Sequence, residues 1–284
     1  MPKSIHPDTQ IGLVRLKVSN LERSIRYYQQ IIGFNFVREQ GDTAELSADG
    51  DRPLLLLEEV PNPVPLTRRH AGLYHFAILV PDRKSLGATV RHLAENGVPL
   101  GQGDHWVSEA FYLNDPDGNG IEIYADRPRE QWEYDELGQV KMGTDPVDVE
   151  SLLLLADKEP WEGLPAGTTM GHIHLHVSEL PATERFYCGL LGFDLVTKFG
   201  DSALFISAGG YHHHIGLNTW AGVGAKLAPE GAVGLKDYEL VVPDRSAFDE
   251  IEGRLKPADY PYELEGGELR VKDPTGNAIR LAVR

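Results

Sequence analysis

The sequence predicts an α+β fold of four related units, each ordered as a strand, a helix and three further strands. Residues 13–21 and 172–180 share one pattern, and a Gly-Phe pair follows each copy at the same distance. Residues 72–83 and 234–245 share a second pattern that ends in Val-Pro-Asp-Arg. Internal repeats of this kind indicate an array of supersecondary units. The expected architecture is therefore four βαβββ modules that form two curved sheets, each shaped as a cupped barrel.

The first and third units are predicted from matching patterns. Residues 11–18 alternate apolar and polar side chains, as a half-buried strand does. Asn20 is a candidate N-cap for a helix that continues to about Ile32, and Gly33 suits its C-terminal end. Three strands are expected from Phe34 to Leu57. The third unit is predicted as strand 172–178, helix 181–191 and strands near 193–198, 202–207 and 212–219.

The second and fourth units repeat the order with shorter strands. The second is predicted as strand 73–80, a helix at about 83–96 and strands near 105–114 and 120–125. The fourth is predicted as strand 235–242, helix 245–256 and strands near 262–265, 268–272 and 278–283. The segment 115–120 precedes the last strand of its unit, and its Asp, Pro, Gly and Asn residues are typical of a tight turn. A related turn at 273–277 lies in a unit without metal-binding residues, which favours a structural role for both.

The units are grouped along the chain around a connecting arm. An N-terminal pair is expected over residues 1–126 and a C-terminal pair over residues 169–284. The separate units span about 9–60, 72–126, 169–220 and 232–284. The arm, residues 127–168, has no repeat and one predicted helix near 146–156. It should pack on the surface, because Trp132, Trp161 and the run 152–155 need burial.

Composition narrows the classes of partner. The 284 residues include 43 acidic and 27 basic side chains, for a formal net charge of −16. This charge argues against nucleic acid or an anionic membrane as the main partner. The one cysteine, Cys188, fits a reducing compartment, and the N-terminus shows no apolar leader. A cytoplasmic protein is therefore expected.

Equivalent positions of the repeats differ where a metal could bind. The opening strands and the last strands of the units carry Leu13, His75, His172, Asp237, Glu122 and Arg280 at these positions. The combination that can bind a metal is His75, His172 and Glu122. Two imidazoles and one carboxylate with open positions are typical of non-haem Fe(II) oxygenases, although Mn(II), Zn(II) and Co(II) also accept such ligands. His174 and His176 share the strand face of His172 and are alternative ligands, but the match with His75 favours His172.

This ligand set has a structural consequence. His75 and Glu122 belong to the second unit and His172 to the third, so these two units must share a cavity. The first and fourth units then form a copy that has lost its metal, in which Arg280 is expected to pair with Asp237.

With these residues the chain resembles the vicinal oxygen chelate superfamily and, within it, the bacterial extradiol catechol 2,3-dioxygenases. The resemblance rests on Gly171-His172, on the run 212–217 and on Tyr112 ahead of Glu122 with His105 upstream. It implies that His75, His172 and Glu122 bind Fe(II), with Mn(II) also compatible. It further implies an acid–base role for His213 or a neighbour in that run, substrate or oxygen contacts for His105 and Tyr112, and substrate contacts for His174 and His214. The known extradiol enzymes draw their ligands from the third and fourth units, so this chain departs from them.

The expected function is extradiol cleavage of catechol or a substituted catechol by O₂, with a semialdehyde product, in the catabolism of aromatic hydrocarbons. A homo-oligomer is compatible with this expectation. The alternatives are a glyoxalase-like isomerase, a metal-dependent thiol transferase and a non-catalytic binding protein of the same fold. The isomerase usually requires a carboxylate from both facing units, whereas the third unit has Ile215-Gly216-Leu217 there. A binding protein would need no metal ligands.

Overall fold

The computed structural model describes residues 4–65, 67, 69–136, 138–156 and 160–284. Within these residues, sixteen strands form two eight-stranded sheets. The first unit contributes β1 (Gln10–Val18), β2 (Asn35–Gln40), β3 (Thr43–Ser47) and β4 (Pro53–Glu59). The second contributes β5 (Gly72–Leu79), β6 (Gly101–Asp104), β7 (Ser108–Asn114) and β8 (Gly120–Asp126). The third contributes β9 (Thr169–His176), β10 (Asp194–Phe199), β11 (Ala203–Ser207) and β12 (Ile215–Asn218). The fourth contributes β13 (Gly234–Val242), β14 (Tyr262–Glu265), β15 (Glu268–Lys272) and β16 (Ala278–Val283).

Each unit has its helix between the first and second strands. The helices are α1 (Leu21–Tyr27), α2 (Arg83–Glu95), α4 (Leu180–Glu184) and α5 (Arg245–Leu255), and α3 (Val149–Leu155) lies in the connecting arm. The helices α1 and α4 continue as π-helical turns, Tyr28–Ile32 and Arg185–Leu191. Among the described helices, none has the length and apolar character needed to cross a membrane. The predicted α+β fold of four βαβββ modules in two curved sheets is confirmed.

The helix ends follow the repeated local sequence. Asn20 caps α1 by accepting from the Arg23 amide, and Asp82 caps α2 by accepting from the Ser85 amide. At the other end, Gly33 adopts φ +95°, a left-handed conformation that glycine adopts without steric cost. The same chemistry therefore starts and stops helices in different units.

Each sheet combines one unit of the N-terminal pair with one unit of the C-terminal pair. One sheet has the order β14-β15-β16-β13-β1-β4-β3-β2, which combines the fourth and first units. The other has the order β10-β11-β12-β9-β5-β8-β7-β6, which combines the third and second units. Antiparallel pairs, β1 with β13 and β5 with β9, connect the units within each sheet. The second and third units thus share one curved surface, as the ligand pattern requires.

Strand alternation separates the core from the site. In β9, Ile173 and Leu175 belong to the hydrophobic core, while His172 and His174 occupy the alternate positions and face the other side of the sheet. The core is continuous through both sheets and the helices that pack on them. One side of the second sheet is therefore free to carry polar residues.

The turn predicted at residues 115–120 is a structural element. The Asp115 carboxylate accepts hydrogen bonds from the amides of Asp117 and Asn119 and from the Asn119 side chain. The buried hydroxyl of Tyr28 also donates to Asp115, at 2.8 Å. Asp273 makes the same contacts with its own turn. The carboxylates are fully used in fixing these turns.

Several local predictions were wrong. A separate strand, β6, precedes His105, and β12 begins only at Ile215, so the run 212–214 lies before the strand. In the arm, Leu152 is buried but Leu154 is 80% exposed, because one face of a short helix is enough to contact the body. Trp161 does pack, stacked on His92 with ring centroids 3.6 Å apart.

The prediction that Arg280 pairs with Asp237 was also wrong. Asp237 is bound by Arg15, which lies directly opposite in the antiparallel β1–β13 pair, with an N–O distance of 3.2 Å. Arg280 instead donates to Glu268 on the adjacent strand β15. Each of these charges therefore has its partner on a neighbouring strand.

Gly120 allows the close contact between β8 and β5. A methyl group at this position would collide with the carbonyl oxygen of Tyr74 and crowd His75. We expect Gly120→Ala to lower the free energy of unfolding by roughly 1–3 kcal/mol, the usual cost of overpacking. Chemical denaturation would measure the change. Gly189→Ala is the matched control, since open space surrounds that glycine, and equal stability of both variants would contradict the role of Gly120.

Candidate metal centre

Three ionisable side chains converge from adjacent strands. In the second sheet β5 lies between β9 and β8. Ala77 of β5 is opposite His172 in β9 and Glu122 in β8. His75 lies two residues before Ala77 and so projects from the same face. The small side chain of Ala77 leaves the space into which His75, His172 and Glu122 extend.

The three side chains are buried and close together. Glu122 Oε2 is 3.0 Å from His75 Nε2 and 3.1 Å from His172 Nε2. One ligand atom of each residue lies within 4.8 Å of the others, and all three side chains are buried. Among the described residues this is the group of His, Cys, Asp and Glu side chains with metal-binding spacing. The structure thus brings the three predicted ligands together.

The donor set fits a divalent cation. His75 Nε2 is buried and makes no hydrogen bond among the described residues, although a carboxylate oxygen lies 3.0 Å away. An unpaired buried polar atom is costly, so a missing partner is expected at this nitrogen. A metal ion bound by His75, His172 and Glu122 would satisfy this nitrogen.

The charge states also suit metal binding. Burial by itself would raise the pKa of Glu122, but the interactions with His172 and His75 outweigh it and hold this pKa well below its usual value. Burial lowers the pKa of His172. The low pKa keeps the Glu122 carboxylate ionised and burial favours the neutral form of the His172 imidazole, and these are the forms that bind metals.

The predicted catalytic residues surround this cluster. The His213 ring lies 4.1 Å from the His172 ring, measured between centroids. Tyr112 is opposite Glu122 in the β7–β8 pair, and its ring centroid is 5.6 Å from that of His75. His105 Nε2 and the Tyr112 hydroxyl are hydrogen-bonded at 2.6 Å. His213 and Tyr112 thus lie beside the candidate ligands, His105 is connected to them through Tyr112, and the catalytic roles of all three stay predictions.

The two predicted substrate-binding histidines differ in position. The His174 ring is 5.0 Å from the His75 ring, and the Asn218 amide donates to its Nε2. The ring of His214 instead packs on Tyr211, and His214 Nδ1 accepts from the Ala208 amide. Burial lowers the pKa of His214 to about 3. The structure does not bring His214 to the ligand cluster.

A second polar network was missed by the sequence reasoning. Asp126 accepts hydrogen bonds from His212 Nε2 and from the Tyr211 hydroxyl, each at 2.9 Å. The Tyr211 hydroxyl is also 2.7 Å from that of Tyr124. A signal was present in the sequence, since Asp126 lies four residues after Glu122 on one strand and therefore shares its face.

A cavity opens beside the cluster. Its volume is about 770 Å³, and both His75 and Tyr112 line it. Tyr74, His176 and Trp220 form part of its wall. The rings of Tyr74 and Trp220 are 5.3 Å apart in an edge-to-face arrangement. The space is large enough for a small aromatic molecule to approach His75.

Known proteins identify the family. The Glyoxalase/Bleomycin resistance protein/Dioxygenase superfamily matches residues 10–123. The catechol-2,3-dioxygenase of Bacillus subtilis (strain 168) is 52% identical over 277 residues, which cover 97% of each chain. The chain belongs to this superfamily. The predicted resemblance to the extradiol dioxygenases and the predicted enzyme class are thereby confirmed.

Two further comparisons are less extensive. A trivalent organoarsenical cleaving enzyme from Bacillus sp. (strain MD1) is 32% identical over 120 residues, 39% of this chain and 70% of that protein. The crystal structure of a putative dioxygenase from Bacillus subtilis subsp. subtilis str. 168 superposes with a TM-score of 0.64 at 13% identity, covering 99% of this chain and 86% of the other. At that identity the similarity supports the fold alone.

Removing one ligand should abolish metal binding without unfolding the chain. We expect His172→Ala to lose its metal, because two remaining ligands form a much weaker site. Elemental analysis after metal loading and gel filtration would give the stoichiometry, and circular dichroism would check the fold. His176→Ala is the matched control on the same strand face. Full metal content in His172→Ala would contradict the ligand assignment.

Proposed function

We propose that the protein is an extradiol ring-cleaving dioxygenase with a mononuclear Fe(II) site. Its substrates are O₂ and catechol or a substituted catechol, and its product is a semialdehyde of the 2-hydroxymuconic type. The main support is the buried cluster of His75, His172 and Glu122 in a chain 52% identical to a catechol-2,3-dioxygenase. Fe(II) is favoured because two imidazoles and one carboxylate are the ligands typical of non-haem iron oxygenases.

The cluster would hold the metal and leave coordination positions open. When bound, the ion acts as a Lewis acid that favours ionisation of the catechol and brings the diol and O₂ together. His75, His172 and Glu122 supply one negative charge to the site. The aromatic walls formed by Tyr74 and Trp220 suit a flat ring, and burial of the cluster keeps bulk water from the reacting atoms.

The remaining side chains handle protons and orientation. His213 is the general base that accepts a proton from a catechol hydroxyl and later returns it to an oxygen of the opening ring. Burial and the neighbouring histidines lower the pKa of His213, so its imidazole is neutral and able to accept. Tyr112 orients a substrate oxygen through its hydroxyl, which His105 holds in place.

The proposed reaction balances without another reactant. The ring carbon–carbon bond beside the diol breaks, and both atoms of O₂ enter the product. One oxygen atom becomes part of a carboxylate and the other part of an aldehyde. The four electrons that reduce O₂ come from the catechol, so no external reductant is needed.

The glyoxalase-like isomerase has less support. In the third unit β12 presents Gly216 beside His174, and the described part of this strand carries no carboxylate that could complete a four-ligand site. A non-catalytic binding protein would leave the convergence of His75, His172 and Glu122 without a purpose.

Anaerobic loading with Fe(II), followed by catechol and air, tests the proposal. We expect about one iron per chain, a yellow ring-cleavage product and one O₂ consumed per catechol. His172→Ala, treated in the same way, should give no product. Bound iron without product or O₂ uptake across catechol and its methyl-substituted forms would contradict ring cleavage. Absence of bound metal would contradict the site itself.

A further inference from the structure

We infer that Asp126 and His212 are positioning residues that fix the orientation and the tautomer of His213. In this arrangement His213 Nε2 carries a lone pair and is ready to accept a substrate proton. The inference rests on the proposed function, in which His213 is the general base. It gives a function to the hydrogen-bonded network of Tyr211, Asp126, His212 and His213, which supplies none of the candidate metal ligands.

The network begins at a carboxylate whose two oxygens are both occupied. Asp126 is the last residue of β8, the strand that also carries Glu122. Its Oδ1 is 2.9 Å from His212 Nε2, and its Oδ2 accepts from the Tyr211 hydroxyl. One contact on each oxygen defines the position of the carboxylate, so its hydrogen bond to His212 has a fixed direction.

The His212 ring is held by packing as well. It is 1% exposed. Its centroid lies 4.1 Å from the Tyr211 ring and 5.5 Å from the Trp132 ring. A buried ring enclosed by aromatic neighbours has little freedom to rotate. The position of Asp126 therefore determines the orientation of the His212 ring, which in turn contacts His213.

Donor and acceptor rules determine the tautomers. A carboxylate only accepts hydrogen bonds, so His212 Nε2 must carry the hydrogen. In a neutral imidazole the other nitrogen, His212 Nδ1, is then an acceptor. This atom is 2.8 Å from His213 Nδ1, which must therefore donate. His213 Nε2 is left as the nitrogen without a hydrogen.

The position of the His213 ring agrees with this role. It lies between His172 and Phe205, at centroid distances of 4.1 and 5.0 Å. Among the described residues, no hydrogen-bond partner of His213 Nε2 is found. The network thus occupies one nitrogen of the imidazole and leaves the other available near the candidate metal centre.

Nuclear magnetic resonance of the metal-free protein tests the tautomer directly. Long-range proton–nitrogen spectra of histidine-labelled protein distinguish Nδ1–H from Nε2–H rings, and the signal of His213 is identified by its loss in His213→Asn. We expect the Nδ1–H form in the wild type. An Nε2–H form would overturn the inference, whether or not the iron-loaded enzyme cleaves catechol.

Three variants separate positioning from packing. His212→Phe keeps a buried aromatic ring and removes both nitrogens, so His213 should lose its single tautomer. In the iron-loaded enzyme kcat should then fall roughly 10- to 100-fold with little change in KM, as for loss of an orienting partner. His212→Gln keeps a donor for Asp126 and an acceptor for His213, and should restore part of kcat. Tyr211→Phe removes the other contact of Asp126 and should keep the wild-type tautomer.

The outcomes are distinguishable. If His212→Phe keeps both the tautomer and kcat of the wild type, the network only packs the chain and the inference is wrong. If His212→Phe unfolds, the wild-type spectrum and His212→Gln still decide the question. If the wild type shows the expected tautomer but forms no ring-cleavage product, the proposed function fails and the catalytic purpose of the network fails with it.

Discussion

The antiparallel pairing of β5 with β9 is the constraint on which the candidate site depends. This pair joins the second and third units into one sheet, although the connecting arm separates them in the chain. It places His75 and His172 on neighbouring strands and on the same face. A shift of one residue in this register would turn either histidine into the core. The candidate metal centre is thus formed at the junction between two units.

Small residues leave space at the junction between the second and third units. Ala77 lies between the ligands, and Gly120 lets β8 approach the backbone of β5. Gly216 leaves room for the His174 ring, which an added methyl group would strike. Side chains of ordinary size at these places would fill the concave face or separate the strands. The space for a substrate therefore depends on these small residues as well as on the ligands.

The other sheet has ion pairs at the positions that correspond to the candidate ligands. Its central strands carry Arg15 and Asp237, which form an ion pair, and Arg280 binds Glu268. These charges neutralise one another on adjacent strands, so the fold does not require an ion at this position. One sheet pairs the charges at these positions, while the other carries the buried cluster of His75, His172 and Glu122.

The sequence by itself determined the repeated units, most of their strands and the three candidate ligands. Local rules sufficed for these features, because strand alternation, helix caps and turns depend on nearby residues, and the repeats revealed which positions are equivalent. The sequence could not separate β6 from the following strand or show which leucines of α3 are buried, since both depend on distant neighbours. The sequence also did not predict that Arg280 would pair with Glu268. The tertiary structure alone decided how Asp126 is connected to His212 and His213, because Asp126 belongs to the second unit and the two histidines to the third. They meet only when β8 and β12 join the same sheet.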